Sequence, residues 1–359
     1  MSRLLARGWG AVSPAGWGVP AMRAALESGE PLPVRPLAWP GSERTLAVRE
    51  VPAPSSRPGF LAHPRLRRAS PITHYATAAT LEALEMAGAG GTSQPQRLGV
   101  IMCMLAGCVQ YSYRFFDETL KNPATASPLL FPETVFNAPA SHVAALLSRP
   151  PATCTLLGDP ATYLQGLALG AEWLEEQRVD GCLVVGAEET NWLLASVLWH
   201  FDKKAVLGGG AGALYLEIAK PDQAGVELSL ITDPQLYSSR QSRVAAACSM
   251  RRDLPASRPD ELLCDSRQDR PRTDAAEIQA WRDWSGSRLS PKTMLGDGLM
   301  ASGAWQCVAA CEALARGRFQ AANVSVVGTN QQAIGARFVH NDPALTQPIA
   351  TPDAQLSSP

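Results

Sequence analysis

The chain has 359 residues, 46% of them apolar and 18% charged, with a formal net charge of -1. That balance describes a globular chain with a sizeable core, in one large domain or two intimate halves. It excludes a bulk basic excess of the kind that points to nucleic acid or an acidic membrane surface.

No run approaches about 18 apolar residues, so no membrane span is expected. The N-terminus lacks the long apolar core of a signal peptide, and the expected location is cytoplasmic. Cysteines stand at 103, 108, 154, 182, 248, 264, 307 and 311. They are scattered, several inside apolar runs, and form no CxxC pair. They read as buried reduced thiols. Cys307 and Cys311 are four apart on an expected helix. No His or second Cys pair supports them, so neither a metal nor a cofactor is expected.

In chain order, residues 4–9 read as a strand, closed by Gly8-Trp9-Gly10-Ala11-Val12-Ser13-Pro14. A short helix follows over 19–27 and stops at Gly29. Residues 30–70 are rich in Pro and Arg with little periodicity, and read as a surface loop or flap. A strong helix is expected over 72–87 and a buried strand over 97–104. A helix over 107–120 carries Tyr111, Phe115 and Phe116, expected to fill core. Ser127-Pro128-Leu129-Leu130-Phe131-Pro132 is an apolar turn, and 134–147 a helix.

Residues 153–157 then read as a buried strand. Gly158 permits a sharp turn, Asp159 suits a helix N-cap and Pro160 the first helical position. A buried helix follows over 163–177 and a strand over 181–186. Many enzymes place a nucleophile at such a turn, where the helix N-terminus favours an anion; here the turn offers Asp-Pro. Gly208-Gly209-Gly210-Ala211-Gly212 precedes a strand and lacks GK[ST], so it reads as close backbone packing and not as a phosphate loop. Beyond residue 221 the alternation repeats: strands over 226–231, 261–264, 322–327 and 334–339, and helices over 244–250, 275–284 and 298–314. Residues 265–273 are polar and arginine-rich. The whole pattern argues an α/β layered architecture, with halves at 1–220 and 221–340 and a disordered tail over 341–359.

These landmarks together resemble the β-ketoacyl-acyl carrier protein synthases of the thiolase fold, over about residues 3–340. Gly8 to Pro14 resembles the opening strand and turn of that family. The apolar turn with Asn137 resembles its turn before the active-site strand. Gly186-Ala187-Glu188 resembles GGAE, and Phe201-Asp202 with Gly208 to Gly212 resembles FD…GEGAG. Lys292 to Gly303 is similar to KxxxGHxxGAAG, with Met300 in place of its second Gly, and Gly328-Thr329-Asn330 to the closing GTN. The resemblance implies a thiolase-like αβαβα fold built from two similar halves.

It also implies a Cys nucleophile and two His, and each departs here. The nucleophile position falls on Pro160, or on Asp159 with a one-residue shift. The first His position falls on Ser266 and the second on Asp297, while the Lys is kept as Lys292. Neither Pro nor Asp forms the thioester, and an Asp offers no neutral imidazole. The gating Phe of GFGGTN is missing from Ser325-Val326-Val327-Gly328-Thr329-Asn330. Decarboxylase-only relatives keep the His pair, so that variant fits poorly.

The resemblance therefore implies a non-condensing subunit similar to the chain length factors of type II polyketide and aryl polyene systems, or of fatty acid biosynthesis. Its partners would be an active ketosynthase, in a heterodimer, and an acyl carrier protein with its acyl chain. In that family the active-site strand pairs across the dimer axis. Leu130, Phe131 and Phe136, with Cys154 and Leu156 on the strand, are therefore expected at the shared acyl tunnel or interface; the other reading is that the first three fill this subunit's own core. Asp159 reads as a helix cap and Lys292 with Asp297 as a structural ion pair. His142 and His200 read as packing or surface residues. Two other classes stay open: a ketosynthase-fold acyltransferase or hydrolase using Asp159, Asp297 or Cys154, and a carrier-protein-binding scaffold homodimer.

Overall fold

The structure, a computed structural model, describes residues 2–255 and 258–341. The tail expected at 341–359 lies outside the described residues except for Asn341. β1 (Leu4–Ser13) turns through the short β2 (Gly16–Trp17) into α1 (Val19–Ser28). Residues 30–70, which show little periodicity, hold a hairpin of β3 (Arg35–Ala38) and β4 (Thr45–Arg49) before α2 (Pro71–Met86). There follow β5 (Leu98–Met104), α3 (Val109–Lys121), α4 (Ala138–Leu146), β6 (Ala152–Leu157), α5 (Thr162–Glu175) and β7 (Gly181–Glu188). Then α6 (Trp192–Phe201) leads through β8 (Leu207–Gly208) into β9 (Gly210–Ile218). The second half opens with β10 (Gly225–Ile231), β11 (Gln235–Leu236) and α7 (Arg240–Asp253). Next come β12 (Leu262–Cys264), α8 (Pro271–Ala280), β13 (Ser287–Leu289) and α9 (Pro291–Leu295). α10 (Met300–Ala315), β14 (Ala321–Val327) and β15 (Gln332–Asn341) complete the chain.

The strands run in the order β13-β12-β14-β15-β10-β1-β9-β7-β5-β6. The order reads the same outward from the β1–β10 seam in both directions. In each half the first strand lies innermost, its last strand comes next, and the third strand of the five forms the outer edge. β1 and β10 meet antiparallel at Leu5↔Glu227 and Ala6↔Val226. β5 pairs parallel with β6 and β7, and β12 pairs parallel with β13 and β14. Two similar halves are therefore fused into one sheet.

Five layers follow from the core clusters. α5 and α10 pack together with apolar residues of strands from both halves. α2 and α4 cover the opposite face of the first half, and α7 and α8 that of the second. The middle helices are buried on nearly all sides: thirteen residues of α10 are buried, Ser302 and Gln306 among them. Helices apolar all round belong in such a position.

The opening Gly-Trp-Gly has a packing reason. The alanine face of α2, including Ala76, Ala79 and Ala83, is fully buried against the first-half sheet. A Cβ on Gly8 would lie 2.0 Å from the Ala83 carbonyl oxygen, and one on Gly10 2.1 Å from that of Ala79. Only glycine allows helix and strand to approach this closely.

Three expectations need correction. The strand read as buried over 153–157 is β6, the open edge of the sheet, and no residue in it is buried. Apolar content cannot tell an inner strand from an edge strand. The aromatics of α3 do not fill core: the helix has no buried residue, and Phe116 is 60% exposed. The helix after the turn starts at Thr162, so Pro160 is not its first residue and Asp159 is not its N-cap.

Gly10→Ala is expected to destabilise the protein by about 3 kcal/mol or more, because the clash is with backbone and the core is close-packed. Urea denaturation of the purified variant measures this; a loss under about 1 kcal/mol would show that α2 can shift away.

Candidate functional site

The β6–α5 turn, the loop after β14 and the segment between α9 and α10 converge on one place. Asp159 and Pro160 sit buried at the turn. The Asp159 carboxylate accepts from the Ala161 N–H at 3.2 Å through Oδ1. Its Oδ2 accepts from the N–H groups of Gln331 at 3.1 Å and Gln332 at 3.3 Å. It lies so close to Gly328 that a Cβ there would be 1.9 Å from Oδ2. The side chain thus staples the turn to the closing Gly-Thr-Asn loop across the two halves. Burial pushes its carboxyl above the ordinary range, against the backbone bonds, which lower it.

Pro160 is inert in two senses. It carries no nucleophile, and without an N–H it cannot donate to a developing oxyanion. α10 presses on it: a Cβ on Gly303 would lie 2.7 Å from the Pro160 carbonyl oxygen.

Lys292 is on α9, and Asp297 follows it in the loop before α10. Their side chains are only 3% and 6% exposed, with Nζ 2.9 Å from Oδ1. The same Oδ1 accepts from Leu299 N–H at 3.0 Å, and Oδ2 from the Gln268 amide at 3.0 Å. Leu299 takes φ 50, in the left-handed region, where a non-glycine side chain is strained. Asp297 is also tied through its backbone to β8, which pairs with β4, so the hairpin of residues 30–70 is linked to this loop.

Ser266 is buried among fixed partners. Its Oγ donates to the Ser325 carbonyl at 3.1 Å. Its N–H donates to Glu277 Oε1 at 3.2 Å, and Ser325 Oγ donates to Glu277 Oε2 at 2.9 Å. Burial pushes Glu277 up to about 8. Asp265, beside Ser266, accepts from Arg288 and Ser290. The motif glutamate Glu188 and its neighbour Glu189 are equally enclosed. Glu188 accepts from the N–H groups of Leu105 at 2.9 Å and Ala106 at 3.1 Å, and Glu189 from that of Gln110 at 2.6 Å. Burial raises Glu188 to about 8 and Glu189 to about 7.

Ser266, Lys292, Asp297 and Gly328 line a cavity of about 180 Å³ that also contains Arg240, Arg243 and Arg272. It shares Phe201, Asp202, Arg240, Arg272 and Thr273 with a wider cavity of about 650 Å³, where five Lys and Arg face two Asp. Arg243 donates to the carbonyls of Gly328 and Thr273. The arginine-rich composition of 265–273 foreshadows this mouth; Arg240 and Arg243 and the Gln268 contact to Asp297 have no local sequence signal.

Of the apolar residues, Leu130 is buried, while Phe131 is 57% and Phe136 44% exposed. Phe131 lies against Phe115 with ring centroids 5.6 Å apart, tying the turn to α3. Cys154 and Leu156 are half-buried on β6. His142 contacts Glu133 at 2.9 Å, and His200 lies edge-on to Trp39 and Trp199.

The chain superposes on the ishigamide ketosynthase/chain length factor with a TM-score of 0.73, at 20% identity over 94% of this chain and 99% of that one. The chain has the ketosynthase fold. It likewise matches a ketosynthase (ApeO) in complex with its chain length factor (ApeC) from Xenorhabdus doucetiae, with a TM-score of 0.77 at 13% identity, covering 95% and 98% of the two chains. A β-ketoacyl synthase from Burkholderia phymatum STM815 matches at 18% identity and a TM-score of 0.76, covering 95% and 100%. No protein-family model matches the sequence, and no curated protein matches it. Among the described residues no helix is long and apolar enough to cross a membrane.

Breaking the buried pair tests how far this ketosynthase-fold site is structural. Lys292→Ala is expected to cost about 3–5 kcal/mol, since it leaves Asp297 buried and unpaired. The double variant Lys292→Met/Asp297→Leu should recover most of that in urea denaturation. A single variant within about 0.5 kcal/mol of the parent would show that water reaches the site.

Glu188, Glu189 and Glu277 all have raised folded values. Their stabilising contribution is therefore intact below about pH 4.5, the unfolded value, and is lost as pH rises through about 7–8. The thermal midpoint is expected to fall between about pH 5.5 and 8.5, with a shallower fall in Glu277→Gln. A midpoint rising over that interval would contradict the assignment.

Proposed function

We propose that this chain is a non-condensing, chain-length-factor-type subunit that pairs with an active β-ketoacyl-acyl carrier protein synthase and shapes the tunnel in which the acyl chain grows. The carrying observation is the state of the three catalytic positions. Pro160 is buried and lacks a nucleophile, Ser266 is locked in a hydrogen-bond network, and Asp297 is paired with Lys292. A thioester needs a thiol at the turn and a condensation needs imidazoles beside it. Cys154 sits on the strand and not at the helix start, and both carboxylates have their acceptor positions occupied.

The surface supports a partner. Nine of the fifteen exposed large apolar side chains in the described residues fall within 105–157, among them Phe116, Leu120, Leu129, Phe131 and Leu157. Leu157 lies on β6 itself, whose outer backbone edge has no neighbouring strand among the described residues, and Leu105 follows β5, the strand beside it. A monomer rarely leaves such a patch and such an edge uncovered. The same face also suits a second copy of this chain, which is the scaffold reading. The cation-rich cavity mouth favours an acidic carrier protein as a further partner, since complementary charge steers association.

Co-expression with a Cys-containing ketosynthase, followed by native mass spectrometry, is the deciding experiment. A one-to-one complex is expected, and Leu157→Asp with Phe131→Glu should weaken it by about tenfold or more. Leu130→Trp or Phe131→Ala in the intact complex should change product length. A homodimer alone would replace this reading with the scaffold; an isolated chain that becomes acylated would replace it with an acyltransferase.

A further inference from the structure

A cavity of about 300 Å³ lies far along α10 from the Lys292 site, between α1, the C-terminal half of α10 and β13. Much of its lining is apolar: Met22 and Leu26 on α1, Ala309 and Ala313 on α10, and Leu289 and Phe319. The two alanines leave the space, and the longer side chains opposite do not fill it.

The rim carries charge with an imbalance. Arg23 donates to Glu312 Oε1 at 2.7 Å, and Trp9 holds the other oxygen at 3.0 Å, so this pair is closed. Arg288, also on the lining, donates to Asp265, which neutralises it. Arg316 and Arg318, however, both donate to one oxygen, Glu27 Oε1, at 2.6 and 3.1 Å. Two guanidinium groups thus share one carboxylate, leaving one positive charge in excess at the mouth of an apolar cavity. The end of α10 does not cancel that charge, because its last carbonyls are already occupied. Gly317, at φ 66, turns the chain so that its N–H bonds Leu314 O at 2.9 Å and Arg318 N–H bonds Ala313 O at 3.1 Å.

We propose that this cavity is a binding site for a small amphipathic monocarboxylate, its apolar body on Leu26, Ala309, Ala313 and Phe319 and its carboxylate between Arg316 and Arg318. The volume falls at the lower end of small-molecule sites. A planar guanidinium matches a carboxylate in geometry as well as charge. The site is separate from the acyl tunnel proposed above and does not depend on it.

The test is isothermal titration calorimetry of the full chain with sodium octanoate, octanol and octylamine. Octanoate is expected to bind one site, with octanol and octylamine weaker by about tenfold or more. Ala313→Trp, which fills the cavity, should abolish binding. Arg316→Ala/Arg318→Ala, at exposed positions, should weaken it by about tenfold. Leu130→Trp should leave it unchanged, which separates this site from a tunnel. Absence of octanoate binding, binding that survives Ala313→Trp in a folded variant, or binding matched by octanol overturns the proposal. Loss with Leu130→Trp but not with Ala313→Trp places the ligand in the tunnel and overturns it equally.

Discussion

The closeness of α5 and α10 in the middle layer governs the rest of the molecule. A Cβ on Gly303 would meet the Pro160 carbonyl, and Cβ atoms on Gly186 and Gly212 would stand 3.0 and 2.8 Å from the Ala304 side chain. Helix and helix, and helix and sheet, are in contact with nothing between them. At that density there is little freedom to slide. The starts of the two helices are therefore brought to one end of the middle layer, where the loop after β14 joins them. The meeting point of Asp159, Lys292, Asp297 and Gly328 follows from this packing and not from any local preference.

What occupies the meeting point is a set of mutually satisfied polar groups. Asp159 bonds three backbone N–H groups, Asp297 takes an ammonium, an N–H and an amide, and Glu277 holds both Ser266 and Ser325. Each is a buried charge or acid that would be costly if left alone. Groups spent on one another are poor acids, bases and nucleophiles. In this chain the residues at that point serve as part of its framework.

The outside differs in kind. Elsewhere charges are paired, as with Arg23–Glu312 and Arg3–Glu227. The region of β6, α3 and the turn at Leu129 is apolar, and the cavity mouth near Arg240 and Arg272 is cationic. An uncovered sheet edge, exposed aromatics and a charged mouth are surface regions with different chemistry.

The order of strands and helices was legible from periodicity, since alternation of apolar runs and helical spacing depends on neighbours in sequence. So were the identities of Pro160, Ser266 and Asp297, on which the proposed function rests, because residue type and spacing are local information. Residues 30–70 were not legible: they show little periodicity, and the β3–β4 hairpin is anchored by the pairing of β4 with β8, more than 150 positions away. The bonding of Asp159 was not legible either, because Gln331 and Gln332 lie far along the chain. Nor was the exposure of β6 and α3. An edge strand and an inner strand have the same apolar residues, and an aromatic helix face looks alike over a core or facing outward. The sequence by itself determined the fold class and which residue types stand at the turn and before α10. Tertiary structure alone decided which surfaces are open and which polar groups are paired, because both depend on contacts between distant segments.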